Sequence, residues 1–269
     1  MHIIIDGIKI NYIDEGCGTN VLLLHGWGAN IKTMQPIFDI LKNRCRVVAL
    51  DLPGFGESDK PLTPWNSYDY ADIVKKFIDI LSLKDIILFG HSHGGRISII
   101  LSSAYQSIIK KLILIDSAGI IPKRSLKYYF KVYKYKLLKK LYLLLNKNNK
   151  HNLEHFYKKF GSEDYKNAEN EIIRKTLVKV LHDNIESHLT DIKAPTLIIW
   201  GEDDIDTPLY MAKRLNEKIP ESGLVILEGA KHYSYLDNFY KFKLVVESFL
   251  NNDFINSNGG VLWFFFHGC

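Results

Sequence analysis

The feature that most limits the folds open to this chain is an alternation between short apolar runs and longer helical patterns. Runs such as VLLLH at 21–25, DIILFG at 85–90 and TLIIWG at 196–201 are apolar throughout. Such runs are typical of strands buried on both faces of a parallel sheet. The helical patterns between them provide the crossovers that parallel strands need. The sequence therefore predicts an α/β protein with a mostly parallel sheet.

Eight strands are predicted, and the first two form an antiparallel hairpin at one edge of the sheet. The hairpin turns at Asp6-Gly7, a dipeptide that tolerates the positive φ values of a tight turn. The predicted strands are residues 2–5, 8–13, 21–25, 46–50, 85–90, 110–115, 195–200 and 223–228. The predicted helices of this α/β core are residues 33–42, 69–82, 93–106, 208–217 and 235–250.

One stretch interrupts the alternation. Residues 120–190 have no convincing strand and are rich in Lys, Tyr and Leu in helical patterns, which indicates a helical insertion, or cap. The α/β core then consists of residues 1–119 and 191–251. Residues 252–269 form a tail that ends in an apolar, aromatic cluster, and the sequence does not indicate its role.

Composition narrows the class of protein further. The chain is 46% hydrophobic and 24% charged, which is typical of a globular protein. No apolar run approaches the roughly 20 residues of a membrane-spanning helix, and the first residues do not resemble a signal peptide. The cysteines, at positions 17, 45 and 269, have no CxxC spacing. We therefore expect a cytoplasmic protein without a disulfide framework or a structural zinc site.

The strongest chemical signal is a serine at the end of a predicted strand. Ser92 lies in GHSHGG, residues 90–95, where the run DIILF ends and the helical pattern RISIILSSAY begins. A serine on a sharp strand-to-helix turn needs glycines two residues before and after it, because its backbone is strained and its Oγ must project from the sheet. The G-x-S-x-G pattern alone recurs by chance, but this context predicts a nucleophile elbow.

A serine becomes a good nucleophile only when a histidine takes its proton and a carboxylate orients that histidine. Asp204 follows the buried run PTLIIW, and His232 follows LVILEG. Loops after strand ends are where open α/β sheets build their sites, and the order Ser, Asp, His is that of hydrolases with this elbow. Asp116, at the end of LILID, is the alternative acid; Asp203 and Asp206 are more typical of caps or solvated charges.

Acyl transfer also needs donors for the developing oxyanion. One predicted donor is the backbone N–H of His93, the residue after the nucleophile. The other is the backbone N–H of Trp27, in the HGWG stretch that follows a predicted strand. We expect His25 to hold this loop by a structural hydrogen bond and His91 to pack beside the elbow.

Taken together, HGWG, DLPGFGESDKP, GHSHGG, WGEDD and GAKH resemble the successive landmarks of the α/β-hydrolase fold superfamily, over about residues 1–250. The resemblance implies an eight-stranded, mostly parallel sheet with the cap inserted after the sixth strand. It also implies a Ser-Asp-His triad and hydrolysis without a cofactor or a metal ion. The superfamily includes carboxylesterases, lipases, carbon–carbon bond hydrolases, peptidases and perhydrolases, so the fold alone does not give the substrate.

Several branches of the superfamily fit poorly. Haloalkane dehalogenases and epoxide hydrolases carry aspartate at the position of Ser92. Meta-cleavage-product hydrolases, which break carbon–carbon bonds, usually read GNSMGG at the elbow and have a Trp shortly after the histidine, whereas this chain reads GHSHGG and HYSYLDN. We therefore expect an esterase-type hydrolase.

The cap carries an unusual charge. Residues 121–150 hold ten Lys and Arg residues and no acidic residue, so the net charge of +5 comes entirely from this segment. One apolar stripe of a helix in this segment is expected to pack on the core, and a roughly opposite set is expected to line a cavity or contact a partner. The stripe comprises Leu126, Phe130, Tyr133, Leu137, Leu141 and Leu144, and the opposite set comprises Tyr128, Val132, Tyr135 and Tyr142.

The charge of this region also raises the question of membrane or nucleic-acid binding. A basic, aromatic helix can bind an anionic membrane surface, but lysines that keep their heads in water are the simpler explanation. Nucleic-acid binding is disfavoured because no recognised nucleic-acid fold accompanies the charge. His151, Glu154 and His155 lack a clear set of three metal ligands and are expected to be solvated.

The sequence thus predicts a serine hydrolase that cleaves an ester of a small or medium, largely apolar substrate. Its expected parts are the nucleophile Ser92, the base His232, the acid Asp204 and the Trp27 and His93 amides. A carbon–carbon hydrolase, and a non-catalytic ligand-binding or signalling protein on the same scaffold, remain the alternatives. The oligomeric state is not indicated.

Overall fold

The computed structural model describes residues 1–145 and 152–255. The chain forms two compact units. The first contains residues 1–61, 67–120 and the chain from Asn184 onward, and the second contains residues 62–66 and 121–183.

The first unit is built on a single sheet of eight strands, in the order β1-β2-β4-β3-β5-β6-β7-β8 among the described residues. The first two strands pair antiparallel, β2 also pairs antiparallel with β4, and the other neighbours are parallel. The predicted mostly parallel sheet with an antiparallel edge is confirmed. The strands are β1 His2–Ile5, β2 Ile8–Glu15, β3 Asn20–Leu24, β4 Arg46–Leu50, β5 Ile86–His91, β6 Ile109–Ile115, β7 Thr196–Gly201 and β8 Ser222–Leu227.

Among the described residues, the helices before the last strand lie between strands, as the alternation predicted; four of them form the insertion between β6 and β7, and two more helices follow β8. The predicted helix at 235–250 is instead a short helix followed by a longer one. The helices are α1 Ile31–Leu41, α2 Ser67–Ile80, α3 His93–Ala104, α4 Leu126–Leu145, α5 Asn152–Phe160, α6 Glu163–Asn167, α7 Glu171–His182, α8 Tyr210–Lys218, α9 Ser234–Asp237 and α10 Phe239–Ile255.

Both faces of the parallel strands β3 to β7 are largely buried, which explains why their sequences are mostly apolar. Helices α1 and α10 cover one face and form a continuous hydrophobic cluster with alternate strand residues such as Leu23 and Phe89. The intervening residues, including Leu22 and Leu88, are equally buried on the opposite face. The rigid sheet that results fixes the positions of the loops at its strand ends.

The second unit combines α4 to α7 with the segment 62–66. The backbone N–H of Trp65 donates to Thr176 Oγ1 at 3.0 Å, and Lys179 Nζ donates to the Pro64 carbonyl at 2.7 Å. These bonds tie the segment to α7. The sequence did not indicate this association, because the two partners lie more than a hundred residues apart.

The orientation predicted for α4 is wrong. The stripe expected to pack on the core is exposed. The opposite face packs within the second unit instead: Tyr135 lies against Phe156 and Tyr165, and Tyr142 also lies against Phe156. Both faces of α4 are apolar, so periodicity alone could not tell which one is buried.

In the described part of the chain, no helix has both the length and the apolar content to span a bilayer. The tail beyond Ile255 and His151 lie outside the described residues, and the side chains of Glu154 and His155 are not described either. The interpretation of those positions therefore stays a prediction.

Candidate active site

Ser92 lies between β5 and α3, on the sharp turn predicted for it. Its φ of 50° and ψ of −113° place a non-glycine residue in a strained region of backbone space. The Ser92 N–H donates to the Ile115 carbonyl at 3.1 Å, and the Ser92 carbonyl accepts from the Ala118 N–H at 2.9 Å. These bonds to β6 and the loop after it hold the strained residue in place.

Close approach of the backbone explains the glycines on either side. A Cβ on Gly94 would lie 2.6 Å from the carbonyl carbon of Leu24. A Cβ on Gly90 would lie 2.6 Å from the Cα of Gly95. Side chains at these positions would push α3 away from β3 and β5, so the elbow depends on their absence.

His232 lies in the loop after β8, with its ring between Ser92 and Asp204. Its Nε2 is 3.0 Å from Ser92 Oγ, and its Nδ1 is 2.9 Å from Asp204 Oδ2. A neutral ring that donates from Nδ1 to the carboxylate leaves Nε2 free to accept the serine proton. The structure thus brings the three predicted residues into one hydrogen-bonded chain, although 140 residues separate Ser92 from His232.

Asp204 is held by its own loop after β7. Its Oδ1 accepts from the N–H groups of Asp206 and Thr207, at 2.8 and 2.9 Å, and its Oδ2 accepts from Thr207 Oγ1 at 2.6 Å. Sequence reasoning missed Thr207. The signal that could have found it is the short D-x-D-T spacing, because Asp side chains commonly accept from N–H groups two and three residues ahead.

Asp116, the alternative acid, has a different position. Its Oδ1 accepts from the Gly201 N–H at 2.8 Å and its Oδ2 from the Ser234 N–H at 2.9 Å. Both carboxylate oxygens are therefore used to join the end of β6 to the end of β7 and to the start of α9. Asp116 braces the histidine loop, whereas Asp204 contacts the ring.

His91 supports the same loop from the other side. Its Nε2 donates to the His232 carbonyl at 2.8 Å, and its ring packs against Tyr233 with centroids 4.8 Å apart. Burial, followed by the charge of His232, lowers the pKa of His91 to about 3, so the ring stays neutral. His91 packs beside the elbow, as expected, and also fixes the backbone of the candidate base.

The acid and the base have opposite pKa shifts. Burial alone would lower the pKa of His232, but the hydrogen bond and charge of Asp204 outweigh it and raise the pKa above 6.5. Burial alone would raise the pKa of Asp204, but hydrogen bonds from His232 and Thr207 outweigh it and lower the pKa below 3.8. The carboxylate therefore stays charged at neutral pH and stabilises an imidazolium.

Burial also acts on Asp116. It raises the pKa of this carboxyl to about 7, although hydrogen bonds from Ser234 and Gly201 oppose the shift. A carboxyl that is partly protonated near neutral pH is a poor permanent counter-charge for an imidazolium. This difference also favours Asp204 as the partner of His232.

The HGWG loop lies against the elbow. A Cβ on Gly26 would lie 2.9 Å from His91 Nδ1 and 3.1 Å from the Ser92 Cβ, so a side chain here would force the loop or the elbow to shift. His25 holds the loop in the manner expected: its Nε2 accepts from the Leu52 N–H at 2.9 Å, and its Nδ1 donates to the Gly26 carbonyl at 2.7 Å. Among the described residues, the N–H groups of Trp27 and His93 have no protein acceptor.

The side chains of Trp27 and His93 belong to an aromatic cluster. The ring of Trp27 contacts Phe55 and His93 edge-on, with centroids 4.9 and 5.5 Å apart, and His93 contacts Tyr70 at 4.9 Å. Burial lowers the pKa of His93 well below 6.5, so this ring is neutral and adds no charge. The four rings of this cluster are therefore uncharged.

The DLPGFGESDKP stretch, recognised from the sequence only as a landmark, has a structural role through Asp51. This buried carboxylate accepts from the Ile31 N–H at 2.8 Å, from Asn11 Nδ2 at 2.9 Å and from the Glu57 N–H at 2.8 Å. It joins the loop after β4 to β2 and to the start of α1. That attachment helps to fix the HGWG loop, which leads into α1.

One group of side chains in the described residues has ligand atoms close enough together to hold a metal ion: Asp204, Asp206 and His232. Two of its three members are the candidate acid and base, which already bond to each other at 2.9 Å. The hydrogen bond between the Asp204 carboxylate and the His232 imidazole therefore explains why these ligand atoms lie close together.

Comparison with known proteins agrees with this fold and geometry. The sequence profile of a family described as the alpha/beta hydrolase fold matches residues 19–239. The chain belongs to this family, and it is a hydrolase of the α/β-hydrolase fold.

Individual relatives are distant, but they are matched over most of their length. The AB hydrolase superfamily protein YisY of Bacillus subtilis is 29% identical over 89% of this chain and 94% of its own. Lipase 1 of Psychrobacter immobilis is 28% identical over 90% of this chain and 83% of its own. The meta-cleavage product hydrolase of Pseudomonas fluorescens IP01 has a similar fold, with a TM-score of 0.71 at 22% identity over 94% of this chain and 97% of its own.

Proposed function

We propose that this chain is a serine hydrolase that cleaves esters of small or medium, largely apolar substrates through an acyl-enzyme. The observation that carries the proposal is the hydrogen-bonded chain from Ser92 Oγ through His232 to Asp204, with distances of 3.0 and 2.9 Å. A neutral imidazole in contact with a serine hydroxyl and oriented by a charged carboxylate is the arrangement that acyl transfer requires.

The proposed reaction has two halves. In the first, Ser92 Oγ attacks the ester carbonyl while His232 Nε2 takes the hydroxyl proton, and a tetrahedral intermediate forms. Collapse of that intermediate breaks the ester C–O bond, and the imidazolium returns the proton to the departing alcohol. In the second half, His232 takes a proton from water, the hydroxide attacks the acyl-enzyme, and the acid leaves as Ser92 recovers its proton.

The Trp27 and His93 N–H groups are proposed as the oxyanion donors. Both flank Ser92, and among the described residues neither has a protein acceptor. Removing one such donor typically costs on the order of a hundred- to a thousandfold in rate. Main-chain donors of this kind survive side-chain substitution, so Trp27→Ala is expected to change substrate preference more than chemistry.

The proposed preference for apolar substrates rests on the aromatic side chains next to the proposed oxyanion donors. Trp27, Phe55, Tyr70 and a neutral His93 contact one another beside the proposed oxyanion donors. Apolar walls bind apolar acyl or alcohol groups by removing their surface from water. Among the esters of a homologous series, we expect medium chain lengths to be cleaved more efficiently than acetate.

The test is a panel of p-nitrophenyl esters from acetate to long-chain acyl groups, assayed with the full chain and with Ser92→Ala. We expect hydrolysis that is lost in Ser92→Ala, with a lower KM for medium acyl chains than for acetate. Hydrolysis that survives Ser92→Ala would place the chemistry elsewhere. Absence of turnover on the whole panel would favour a binding protein on a hydrolase scaffold.

A carbon–carbon hydrolase is the second candidate, and the fold shared with a meta-cleavage product hydrolase favours it. The elbow sequence GHSHGG and the stretch HYSYLDN after the base differ from the pattern typical of that group. An assay with a meta-cleavage product, the dienolate form of a 2-hydroxy-6-oxo acid, separates the two candidates. A kcat/KM for that compound above the value for the best ester would favour the second candidate.

A further inference from the structure

The most unusual surface in the described chain is the exposed stripe of α4 (Leu126, Phe130, Tyr133, Leu137, Leu141 and Leu144), called here the α4 stripe. Large apolar side chains are individually common on protein surfaces, but a contiguous row of six is not. Each of the six is about half exposed or more. The exposed fractions are 88% for Leu126, 72% for Phe130, 67% for Tyr133, 59% for Leu137, 46% for Leu141 and 54% for Leu144.

The stripe is narrow and is bordered by positive charge on both sides. At 3.6 residues per turn, its six side chains fall within an arc of about 80° of the helix circumference. Lys127 and Lys134 lie along one border, and Lys136 and Lys140 lie along the other. All four lysines are exposed.

The opposite face of the helix is already occupied. Tyr135 and Tyr142 pack on Phe156, and Lys139 lies over the ring of Tyr157 at 4.7 Å. Tyr135, Lys139 and Tyr142 on this face are half-buried, whereas the residues of the stripe are exposed. The stripe therefore faces away from the helices that pack on α4 in its own unit.

A partner that binds the stripe must present an apolar layer to the six side chains and negative charge to the bordering lysines. A second copy of this chain does not satisfy both requirements, because two stripes packed together would bring their lysine borders close to each other. A nucleic acid supplies the charge but not an apolar layer. An anionic bilayer supplies both, with acyl chains below a plane of negative headgroups.

We propose that the α4 stripe inserts into the interface of an anionic lipid bilayer, with the helix lying parallel to the membrane plane. The six apolar side chains enter the boundary between headgroups and acyl chains, and the bordering lysines contact the headgroups. This binding does not depend on the triad, so its failure would leave the proposed hydrolase activity untouched.

The test is co-flotation of the full chain with vesicles of phosphatidylglycerol and phosphatidylcholine, compared with vesicles of phosphatidylcholine alone. We expect binding to the anionic vesicles that weakens at high salt, because salt screens the lysines. The double variant Leu137→Gln and Leu141→Gln should lower the partition coefficient about tenfold or more, because it removes two adjacent apolar anchors.

Two controls separate this effect from a general loss of structure. Leu62→Gln and Leu244→Gln change exposed leucines outside the stripe and should bind as the parent does. Ser92→Ala should also bind vesicles normally. Circular dichroism melts of all variants would identify any that fail to fold, and Lys136→Gln with Lys140→Gln tests the charged border without touching the stripe.

Three results would overturn the proposal. The first is an absence of flotation with anionic vesicles, and the second is equal binding to uncharged vesicles. The third is a concentration-dependent dimer in analytical ultracentrifugation that the stripe variant abolishes, together with no vesicle binding, which would identify the stripe as an interface between copies.

Discussion

At the scale of single residues, the protonation of His232 controls the proposed chemistry. The ring must be neutral to accept the Ser92 proton, and Asp204 raises the pKa of the ring above 6.5. We therefore expect kcat/KM for an ester to rise with pH and to level off above an inflection that is higher than 6.5. Initial rates measured across the pH range test this, and an inflection well below pH 6.5 would contradict the assigned coupling of the ring to Asp204.

Two aspartates near the site form a matched pair for mutation. Asp204→Asn should lower kcat on the order of ten-thousandfold, because the amide no longer stabilises the imidazolium or fixes the reactive tautomer. Asp116→Asn should keep kcat within about tenfold but reduce stability by about 1–3 kcal/mol, because one of two buried N–H donors loses its acceptor. Kinetics together with urea unfolding of both variants tests the assignment. The reverse ranking of kcat would make Asp116 the acid.

The candidate residues Ser92, Asp204 and His232 were predictable because each follows an apolar run that ends at the same edge of a parallel sheet. The residues that hold these three in place were not predictable. The brace by Asp116 and the contact from His91 to the His232 carbonyl join residues more than a hundred positions apart. No local pattern in the sequence encodes such contacts, because they depend on how neighbouring strands are ordered in the sheet.

At the scale of elements, the elbow depends on how closely α3 approaches the sheet. Gly94→Ala should destabilise the fold by about 1–3 kcal/mol or more, because the new Cβ would lie 2.6 Å from the carbonyl carbon of Leu24. Gly223→Ala is the matched control, since nothing lies within 4 Å of its added Cβ. Equal unfolding midpoints for the two variants would contradict the close approach.

Strands and helices were predictable to different extents. The strands were found to within about two residues, because runs buried on both faces have a clear apolar signature. The face of α4 that packs was predicted wrongly. Its Tyr135 and Tyr142 face and its Leu137 and Leu141 stripe are both apolar, and only the aromatic partners on neighbouring helices decide between them. The association of segment 62–66 with α7 had no sequence signal either, because it too depends on contacts between distant parts of the chain.

At the scale of the whole molecule, the sheet brings together three loops that are far apart along the chain. The strand order places β5, β6, β7 and β8 side by side, so the loops after β5, β7 and β8 meet at one edge. The first loop carries Ser92, the second Asp204 and the third His232. This chain is similar in sequence to a lipase and in fold to a meta-cleavage product hydrolase, two proteins with different named activities. The fold therefore explains how Ser92, Asp204 and His232 come together, but it does not specify the reaction. The reactivity of Ser92 must be tested directly.

The most direct test of the central claim is mass spectrometry of the intact and digested chain after exposure to an alkyl fluorophosphonate. We predict a single covalent adduct on Ser92, formed at a rate that falls at least a hundredfold in His232→Ala because the serine loses its base. Asp116→Asn, which changes neither atom of the Ser92–His232 contact, should be labelled at nearly the parent rate. An unlabelled Ser92, or labelling that is indifferent to His232→Ala, would contradict the account.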